Sequence, residues 1–436
     1  MAREIKVGLI GLGTVGSGVV RILQDNAALI EERLGAVVRL VKVADIDWER
    51  DRGIPLPVDI MTRDAWEVVR DPDISVVVEL MGGDEPARSL ILGALEMGKD
   101  VVTANKALLA VHGRELFAVA RQRGVRIGFE ATVGGGIPII RALRDGLVAN
   151  RISSVFGILN GTSNYILSTM TVEGRAFSEV LREAQQKGYA EADPTLDVEG
   201  IDAAHKLAIV AGLAFGADIE FSTIFVEGIS RVTPLDLQYS AEFGYRVKLL
   251  AIGKWNDGRV ELRVHPTMIP KSHLLATVEG VFNAIYVTGD AVGPTMFYGQ
   301  GAGGLPTGSA VVSDLVDLCR DRLKGHEGHT PDVHTLQLSK PVVINDIEDV
   351  RTPCYLRITA LDRPGVLSKI SGILGACDIS IESVIQKGRR VRGTVPIVMM
   401  THEATERNVR RALQEIDNLD VIKAKTMLIR VEGALT

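Results

Sequence analysis

The chain has 436 residues, 46% of them hydrophobic and 24% charged, which is enough for two to four globular domains with ordinary cores. Its formal net charge of −6 argues against an extended nucleic-acid surface. The three cysteines lie far apart, and no run approaches the roughly 18 apolar residues of a membrane span, so we expect a soluble, cytoplasmic protein without disulfides, structural zinc or membrane partner.

Residues 1–135 alternate short apolar runs with amphipathic segments. The helix candidates include Val15–Leu34 and Ala87–Met97. The strand candidates are rich in β-branched residues: Ile5–Ile10, Val38–Ala44, Val76–Leu80, Val101–Thr103 and Val125–Phe129. This alternation predicts an α/β domain with a parallel sheet covered by helices on both faces.

A glycine-rich turn joins the first strand to the first helix. Gly11 permits the tight turn, Gly13 lets the backbone approach a pyrophosphate, and Gly16 lets helix and strand pack closely. The helix N-terminus, with Thr14 and Val15, offers N–H donors to the anion. The pattern predicts a Rossmann-like dinucleotide-binding domain.

Asp45 ends the second strand, where a carboxylate binds ribose hydroxyls and favours NAD over NADP. The distance from the glycine loop exceeds the usual roughly 20 residues, so we expect an extended first helix. Arg50 and Arg52 could instead pair with a 2′-phosphate, and Asp45 could equally cap the following turn. The cofactor is therefore NADP or NAD.

The turn Gly134–Gly136 opens a second, α+β domain over residues 136–302. Its antiparallel strands are expected around Tyr245–Gly253, Glu261–Pro266 and Asn283–Gly289. The helix candidate Ser309–Lys324 is expected to pack back onto the first domain, so that about 303–324 belongs with it. Residues 325–350 have the composition of a linker.

Residues 351–436 form a last domain, predicted to be a separate unit. Its runs follow a βαββαβ order, which is typical of a ferredoxin-like fold. Pro396 is awkward in the third strand, because proline cannot donate to a ladder. Asp362 is expected to cap the helix that Pro364 begins, and Lys387–Arg392 is interpreted as a solvated hairpin.

The segment Gly188–Pro194 leads into an apolar helix, Ile201–Phe215, that carries Asp202 and Lys206. A lysine in such company either extends to solvent or lies at an internal site. The alternative is an exposed i,i+4 ion pair of about 0.3–0.5 kcal/mol. The pattern alone leaves both open.

Several motifs together resemble the homoserine dehydrogenase family. They are GYAEADPTLDVEGIDAAHK from Gly188 to Lys206, TANK from Thr103 to Lys106, EATVGGGIP from Glu130 to Pro138, NGTSNY from Asn160 to Tyr165, and GAG with PT from Gly301 to Thr307. They span nearly all of the first two domains in order. Asp362–Leu367 in the last domain resembles the ACT domain that many family members carry.

The resemblance implies an enzyme that interconverts L-aspartate 4-semialdehyde and L-homoserine with NAD(P)H, a step toward threonine, methionine and isoleucine. It implies that Lys206 transfers the proton and that Lys106 is a second catalytic lysine between cofactor and substrate. The implied substrate-binding residues are Glu191, Asp202, Asp197, Tyr189 and Thr162. Asn105, Lys106 and Gly303 are implied to bind the cofactor.

The resemblance also implies a sodium site formed by the Glu130 carboxylate and the backbone carbonyls of Val133, Gly135 and Ile137. Hard oxygen ligands suit a hard cation. The alternative is a plain glycine hinge between domains.

Resemblance to ACT domains implies side-by-side pairing and an amino-acid effector near Asp362, Gly365 and Val366, with threonine the first candidate. A homodimer or homotetramer is expected, and inhibition by threonine should disappear when the chain is cut after about Val350. Two alternatives are a non-catalytic sensor of dinucleotide and amino acid, and a reductase of another small amino-acid aldehyde. The domain could also serve assembly only.

Overall fold

The computed structural model describes residues 3–256, 258–325, 342–387, 393–433 and 435. The strands are β1 Arg3–Ile10, β2 Ala36–Ala44, β3 Met61–Thr62, β4 Val76–Glu79, β5 Asp100–Thr103, β6 Ile127–Gly128, β7 Ile152–Ile158, β8 Phe225–Val226, β9 Tyr245–Asn256, β10 Arg259–Pro270, β11 Phe282–Gly289, β12 Gly293–Gln300, β13 Val343–Ile344, β14 Arg351–Thr352, β15 Cys354–Leu361, β16 Ile381–Ile385, β17 Thr394–Thr401, β18 Ala404–Thr405 and β19 Ile422–Val431. The helices are α1 Thr14–Asp25, α2 Ala27–Leu34, α3 Ala65–Arg70, α4 Ala87–Glu96, α5 Lys106–Arg123, α6 Ile139–Arg141, α7 Gly161–Glu173, α8 Phe177–Gln186, α9 Thr195–Val198, α10 Ile201–Phe215, α11 Pro234–Glu242, α12 Gly304–Leu323, α13 Val366–Ala376 and α14 Glu406–Asp417.

The chain forms two compact units. The first comprises Met1–Ile152, His205–Ser222 and Asn283–Val342, and the second comprises Ser153–Ala204, Thr223–Phe282 and Val343–Thr436. Within the described ranges, every helix is too short or too polar to cross a membrane.

The first unit contains a parallel sheet in the order β3-β2-β1-β4-β5-β6, which confirms the predicted Rossmann-like α/β fold. Ile10 at the end of β1 lies beside Ala44 of β2 and Glu79 of β4, and Glu79 lies beside Thr103 of β5. The carboxyl ends of these strands therefore meet at one edge, where a doubly wound sheet binds its ligands.

The prediction of one long helix over Val15–Leu34 is wrong, because the segment forms two helices, α1 and α2. Asn26 ends α1, where its N–H donates to the Ile22 carbonyl, and α2 begins after it. Asparagine competes for backbone hydrogen bonds and disfavours the helix interior. The long spacing from the glycine loop to Asp45 thus reflects a second helix rather than one extended helix.

Helix α12 packs against α1 within the first unit, with Val311 and Leu315 in the same apolar core as Val19 and Leu9. It begins at Gly304, five residues before the predicted Ser309. Burial of this apolar face against α1 and the sheet stabilises the helix.

The second unit contains a sheet in the order β7-β9-β10-β19-β15-β17-β16. Its last four strands are those of the C-terminal domain, and with α13 and α14 they give the predicted ferredoxin-like βαββαβ fold. The C-terminal domain has its own apolar core, and its sheet continues that of the rest of the second unit, because Thr267 and Met268 of β10 pair in parallel with Arg430 and Val431 of β19. Most of the expected linker, 326–341, and residues 388–392 of the expected hairpin lie outside the described residues.

Pro396 lies within the interior strand β17, opposite Thr359 of β15. The pairing of β17 with β16 extends only from Thr401 to Val398. Pro396 lies beyond that paired stretch, so its missing N–H removes no ladder bond toward β16.

Candidate active site

The glycine loop between β1 and α1 has the close approaches that a dinucleotide cradle needs. A Cβ on Gly11 would lie 2.7 Å from the Leu80 carbonyl carbon and the Met81 nitrogen, and a Cβ on Gly16 would lie 2.1 Å from the Gly11 carbonyl oxygen. At Gly13 the same position faces open space. The first turn of α1 carries no side-chain cap, so its N–H groups suit a pyrophosphate.

Asp45 lies beside this loop with both carboxylate oxygens engaged. Oδ2 accepts the Leu12 N–H at 2.6 Å, and Oδ1 accepts the Asp47 N–H at 2.8 Å and Arg52 Nη2 at 3.0 Å. Arg52 Nε also donates to the Leu12 carbonyl at 2.6 Å. The turn-capping alternative is therefore present, while Arg50 is exposed.

Asn105 and Lys106 lie at the start of α5. The Asn105 side chain caps the helix by accepting the Leu108 N–H at 3.2 Å, and its Nδ2 donates to the Gly83 carbonyl at 2.6 Å. Asn105 is 8% exposed and Lys106 is half-buried. The cap fixes the direction in which Lys106, the first helical residue, leaves the sheet edge.

Gly303 precedes α12 in the same unit, with a φ of 124°. A Cβ on its neighbour Gly304 would lie 2.9 Å from the Thr14 carbonyl oxygen. The segment therefore runs against the first residue of α1, beside the dinucleotide loop.

The turn from Glu130 to Ile137 is buried. Glu130 is 4% exposed, and its oxygens accept the N–H groups of Ile140 and Arg141 at 2.8 Å each. The Glu130 N–H donates to Asp314 at 2.7 Å. Burial raises the pKa of Glu130, and it raises that of Asp314 to about 7.

The Glu130–Ile137 turn contains hard oxygen donors in an apolar setting, which fits a monovalent cation. Val133 is 0% exposed and Ile137 is 3% exposed. Among the described residues, no three His, Cys, Asp or Glu side chains are grouped to hold a metal. A cation at this turn would depend on backbone carbonyls as well as on Glu130.

Helix α10 carries Asp202 and Lys206 one turn apart. Asp202 is 8% exposed and Lys206 is 9% exposed, so the alternative of an ion pair on an exposed face is wrong. His205 stacks on Phe221 at 4.4 Å between ring centroids. Ala203, Ala204 and residues 207–211 are buried, which leaves this lysine in an apolar part of the helix.

A hydrogen-bonded cluster in the second unit joins two of the predicted carboxylates. Asn160 Nδ2 donates to Asp197 Oδ1 at 2.7 Å and to Asp202 Oδ2 at 2.9 Å. Ser163 Oγ donates to the Asp197 carbonyl at 2.8 Å, and the Ser163 N–H donates to Asn160 Oδ1 at the N-cap of α7. Two carboxylates thus converge where α7 and α10 both begin.

Thr162 and Tyr189 contact each other in the second unit, because Thr162 Oγ1 donates to the Tyr189 carbonyl at 2.6 Å. The Tyr189 ring is 44% exposed and packs edge-on to Tyr165 at 5.0 Å. Glu191 follows in an exposed segment whose carbonyl accepts Gln185 Nε2 at 3.1 Å. This hydrogen bond is made by the backbone of Glu191 and not by its carboxylate.

The predicted effector loop lies at the end of β15. Asp362 and Gly365 are exposed, and Val366 is buried. The prediction that Asp362 caps α13 is wrong: Gly365, with a φ of 85°, occupies the N-cap position, and α13 begins at Val366. The left-handed conformation favours glycine, and it leaves the first-turn N–H groups without a side-chain cap.

Two residues escaped the sequence prediction. Asn160 joins Asp197 and Asp202, and Glu79 lies fully buried at the end of β4. A signal existed for each: an asparagine before a helix, and an acidic residue that ends an apolar strand run.

Comparison with known proteins covers nearly the whole chain. The family models described as homoserine dehydrogenase, NAD binding domain, as homoserine dehydrogenase, and as ACT domain match residues 11–130, 138–316 and 355–421. A homoserine dehydrogenase of Neisseria gonorrhoeae is 46% identical over 433 residues, 99% of each chain.

Solved structures agree. The homoserine dehydrogenase of Thiobacillus denitrificans has a TM-score of 0.93 and 48% identity, over 99% of this chain and 100% of that one. A hyperthermophilic archaeal homoserine dehydrogenase in complex with NADPH has a TM-score of 0.63 and 26% identity, over 74% of this chain and 98% of that one. With the site geometry, these likenesses show that the chain belongs to the homoserine dehydrogenase family and is an oxidoreductase.

Proposed function

We propose that Lys206 is the proton-transferring residue in the interconversion of L-aspartate 4-semialdehyde and L-homoserine. The observation that carries this proposal is the burial of Lys206 on α10, one turn after Asp202, which Asn160 ties to Asp197. A nicotinamide cofactor, when bound, exchanges hydride with the carbonyl carbon of the substrate. The carbonyl oxygen must then gain a proton in reduction and lose one in oxidation.

The side chains divide this work by charge. The Lys206 ammonium donates the proton in reduction, and its neutral amine accepts one in oxidation. Lys106, at the N-terminus of α5, contributes a second cation that stabilises developing negative charge on oxygen. Glu191 and Asp202 hold the substrate ammonium and support Lys206. Asp197, Thr162 and Tyr189 line the substrate pocket.

Lys206→Ala tests the assignment. We expect kcat to fall by about 10²- to 10⁴-fold, the usual contribution of a positioned acid–base group, while binding of the reduced cofactor changes little. Lys99→Met is a matched control, because Lys99 is also a buried lysine (5% exposed), whose ammonium donates to the Ile74 carbonyl at 2.8 Å. Wild-type turnover by Lys206→Ala would refute the role of Lys206.

The same assay separates the enzyme from its alternatives. Homoserine with oxidised cofactor should give the absorbance of the reduced nicotinamide, and other amino alcohols should give less. A chain that binds NADPH and threonine but gives no absorbance change with any of them would be a sensor.

We infer that NADP(H) is the preferred cofactor. Both oxygens of Asp45 already accept hydrogen bonds, which leaves this carboxylate less free for ribose hydroxyls, and Arg50 and Arg52 supply positive charge. The archaeal relative was solved with NADPH. We expect a lower KM for NADP than for NAD. Arg50→Ala should raise the KM for NADP alone, because Arg50 is exposed and its hydrogen bonds with Asp47 and Arg52 are made by its backbone, which alanine keeps.

We propose that sodium occupies the Glu130–Ile137 turn, bound by the Glu130 carboxylate and the carbonyls of Val133, Gly135 and Ile137. The buried carboxylate and its apolar surroundings support this. Activity in sodium should exceed that in potassium or choline buffer. Identical rates in all three would support the hinge alternative.

We propose that threonine binds at the exposed Asp362–Gly365 loop and inhibits the enzyme. The uncapped N–H groups at the start of α13 suit a carboxylate, and Asp362 suits an ammonium. Asp362→Ala should abolish inhibition and retain basal activity. A wild-type enzyme unaffected by millimolar threonine would refute this proposal.

We propose a homodimer or homotetramer. Strand β16 is an edge strand of the sheet, with Val384 39% exposed, and an apolar edge strand favours pairing with a second copy. Light scattering at micromolar concentration tests it, and a monomeric mass would contradict it.

A further inference from the structure

Glu79 is a buried carboxylate whose hydrogen-bond partners are all uncharged donors. It ends β4 and has no exposed surface. Oε1 accepts the N–H groups of Met81 at 2.8 Å and Gly82 at 3.2 Å, and Oε2 accepts the Thr103 hydroxyl at 2.7 Å. Burial raises the pKa of Glu79, which is the expected effect of a poorly solvated carboxyl group.

A buried carboxylate destabilises the fold at a position where only packing is needed. Burying a carboxylate costs free energy that an apolar side chain of similar volume would avoid. A carboxylate is, however, a pure acceptor on both oxygens, so it satisfies the Met81 and Gly82 N–H groups on one side and the Thr103 hydroxyl on the other. A glutamine would present an amide donor to one of these sides.

The first branch leads from Glu79 to the lysine-bearing helix. Thr103 Oγ1, which donates to Glu79, accepts the Asn105 N–H at 3.0 Å. Asn105 in turn caps α5 at the Leu108 N–H. Lys106 is the next residue, so the chain of hydrogen bonds ends where its side chain begins.

The second branch leads to the loop that faces the glycine turn. The Leu80 carbonyl carbon and the Met81 nitrogen lie against Gly11, where a Cβ would approach them to 2.7 Å. The Gly83 carbonyl accepts Asn105 Nδ2 at 2.6 Å, which joins the two branches. The Glu79 carboxylate thus lies between the 80–83 loop, which packs against the glycine turn, and Thr103, which leads to Lys106.

We propose that Glu79 is a positioning residue of the redox site, which holds Lys106 and the 80–83 loop in register through Thr103 and Asn105. Glu79 is fully buried and acts through Thr103 and the 80–83 loop, not by direct contact with the reacting groups. The proposal rests on the proposed role of Lys106, and it adds that this lysine needs a buried acceptor behind it to be placed correctly. Small misplacements of a reacting group cost large factors in rate.

Thr103→Val and Thr103→Ser test the proposal in the full-length enzyme. Valine keeps the shape of threonine and removes the hydroxyl, so kcat should fall roughly 10- to 100-fold while the KM for homoserine changes less than threefold. Serine keeps the hydroxyl and should restore kcat to within about twofold. Glu79→Gln, which keeps the volume and one acceptor, should give an intermediate loss in kcat.

Thr401→Val is the matched control. Thr401 is also a fully buried threonine whose hydroxyl accepts a backbone N–H, that of Cys354 at 3.0 Å, but it lies in the C-terminal domain. The Thr401→Val enzyme should be less stable than the wild type but should keep its basal kcat. Thr103→Val with wild-type kcat, or Thr103→Ser as impaired as Thr103→Val, would overturn the proposal.

Lys106→Ala in the same assay separates the two levels of inference. An active Lys106→Ala enzyme would refute the role of Lys106 itself. An inactive Lys106→Ala enzyme beside an unimpaired Thr103→Val enzyme would refute only the role of Glu79.

Discussion

Arg357 neutralises a carboxylate that has no access to solvent. Its Nε donates to Asp236 Oδ1 at 2.6 Å and its Nη2 donates to Oδ2 at 3.0 Å, and Asp236 is 0% exposed. We expect Arg357→Met to destabilise the chain strongly, because methionine fills part of the space but leaves the aspartate charge buried without this cation. The contact joins β15 of the C-terminal domain to α11.

The magnitude follows from what remains around Asp236. Removing one partner of a buried ion pair costs roughly 3–5 kcal/mol. Asp236 would keep the Tyr355 hydroxyl at 3.0 Å and the Thr233 N–H and hydroxyl at 2.9 and 2.6 Å. Because these donors still solvate the charge, we expect a loss near the lower limit, about 3 kcal/mol. Adding Asp236→Asn removes the charge and should restore about 1–2 kcal/mol.

Urea unfolding followed by circular dichroism measures these differences. Arg407→Met is the control, because Arg407 pairs with Glu348 at 3.1 Å and Asp349 at 2.9 Å on the exposed surface of the same domain, where an ion pair contributes little. If Arg357→Met unfolds at the same urea concentration as Arg407→Met, or if Asp236→Asn gives no recovery, the argument from the buried charge is wrong.

Three further predictions concern the second unit. Burial lowers the pKa of Lys248 from 10.5 to about 8, so between these pH values the unfolded chain binds more protons at Lys248 than the folded chain does. The free energy of unfolding should therefore rise with pH across this window, and this gain is lost as the pH falls through about 8. The rise should be missing from the pH profile of Lys248→Met. Cutting after Val350 removes Glu432, a buried partner of Arg263, so we expect low soluble yield instead of an active, threonine-insensitive enzyme; a folded, active fragment would contradict this. Asp362 does not cap α13, so the Asp362→Ala variant should have the same melting temperature as the wild type. A drop of several degrees would show that Asp362 does cap this helix.

The attachment of the C-terminal domain gives the proposed regulation a physical route. Strand β15 ends just before the Asp362–Gly365 loop, and β19 beside it pairs with β10. Arg430 on β19 bonds Glu406 of the C-terminal domain and Glu227 beyond it at 3.0 Å. A shift of this domain would therefore disturb the ion pairs of Arg430, which is 2% exposed, with Glu406 and with the partly exposed Glu227.

Local pattern was enough for the elements and for the dinucleotide loop. The apolar runs of β1, β4 and β5, the turn from Gly11 to Gly16 and the βαββαβ order of the last domain all follow from neighbours in the chain. The motif residues from Asn105 to Lys206 were identified by resemblance, and their roles stay predictions. Hydrophobic periodicity and turn chemistry are short-range properties, so they can be recognised from the sequence.

Tertiary structure decided which of the identified residues meet. Asp197 and Asp202 converge through Asn160, which lies more than 30 residues earlier, and Glu79 reaches Thr103 across two neighbouring strands. The break of α1 at Asn26, the start of α13 after Gly365 and the joining of β19 to β10 also depend on packing. A pattern of residue types records which side chains are apolar or polar, but the partner that satisfies a buried polar group is chosen only when distant segments are brought together.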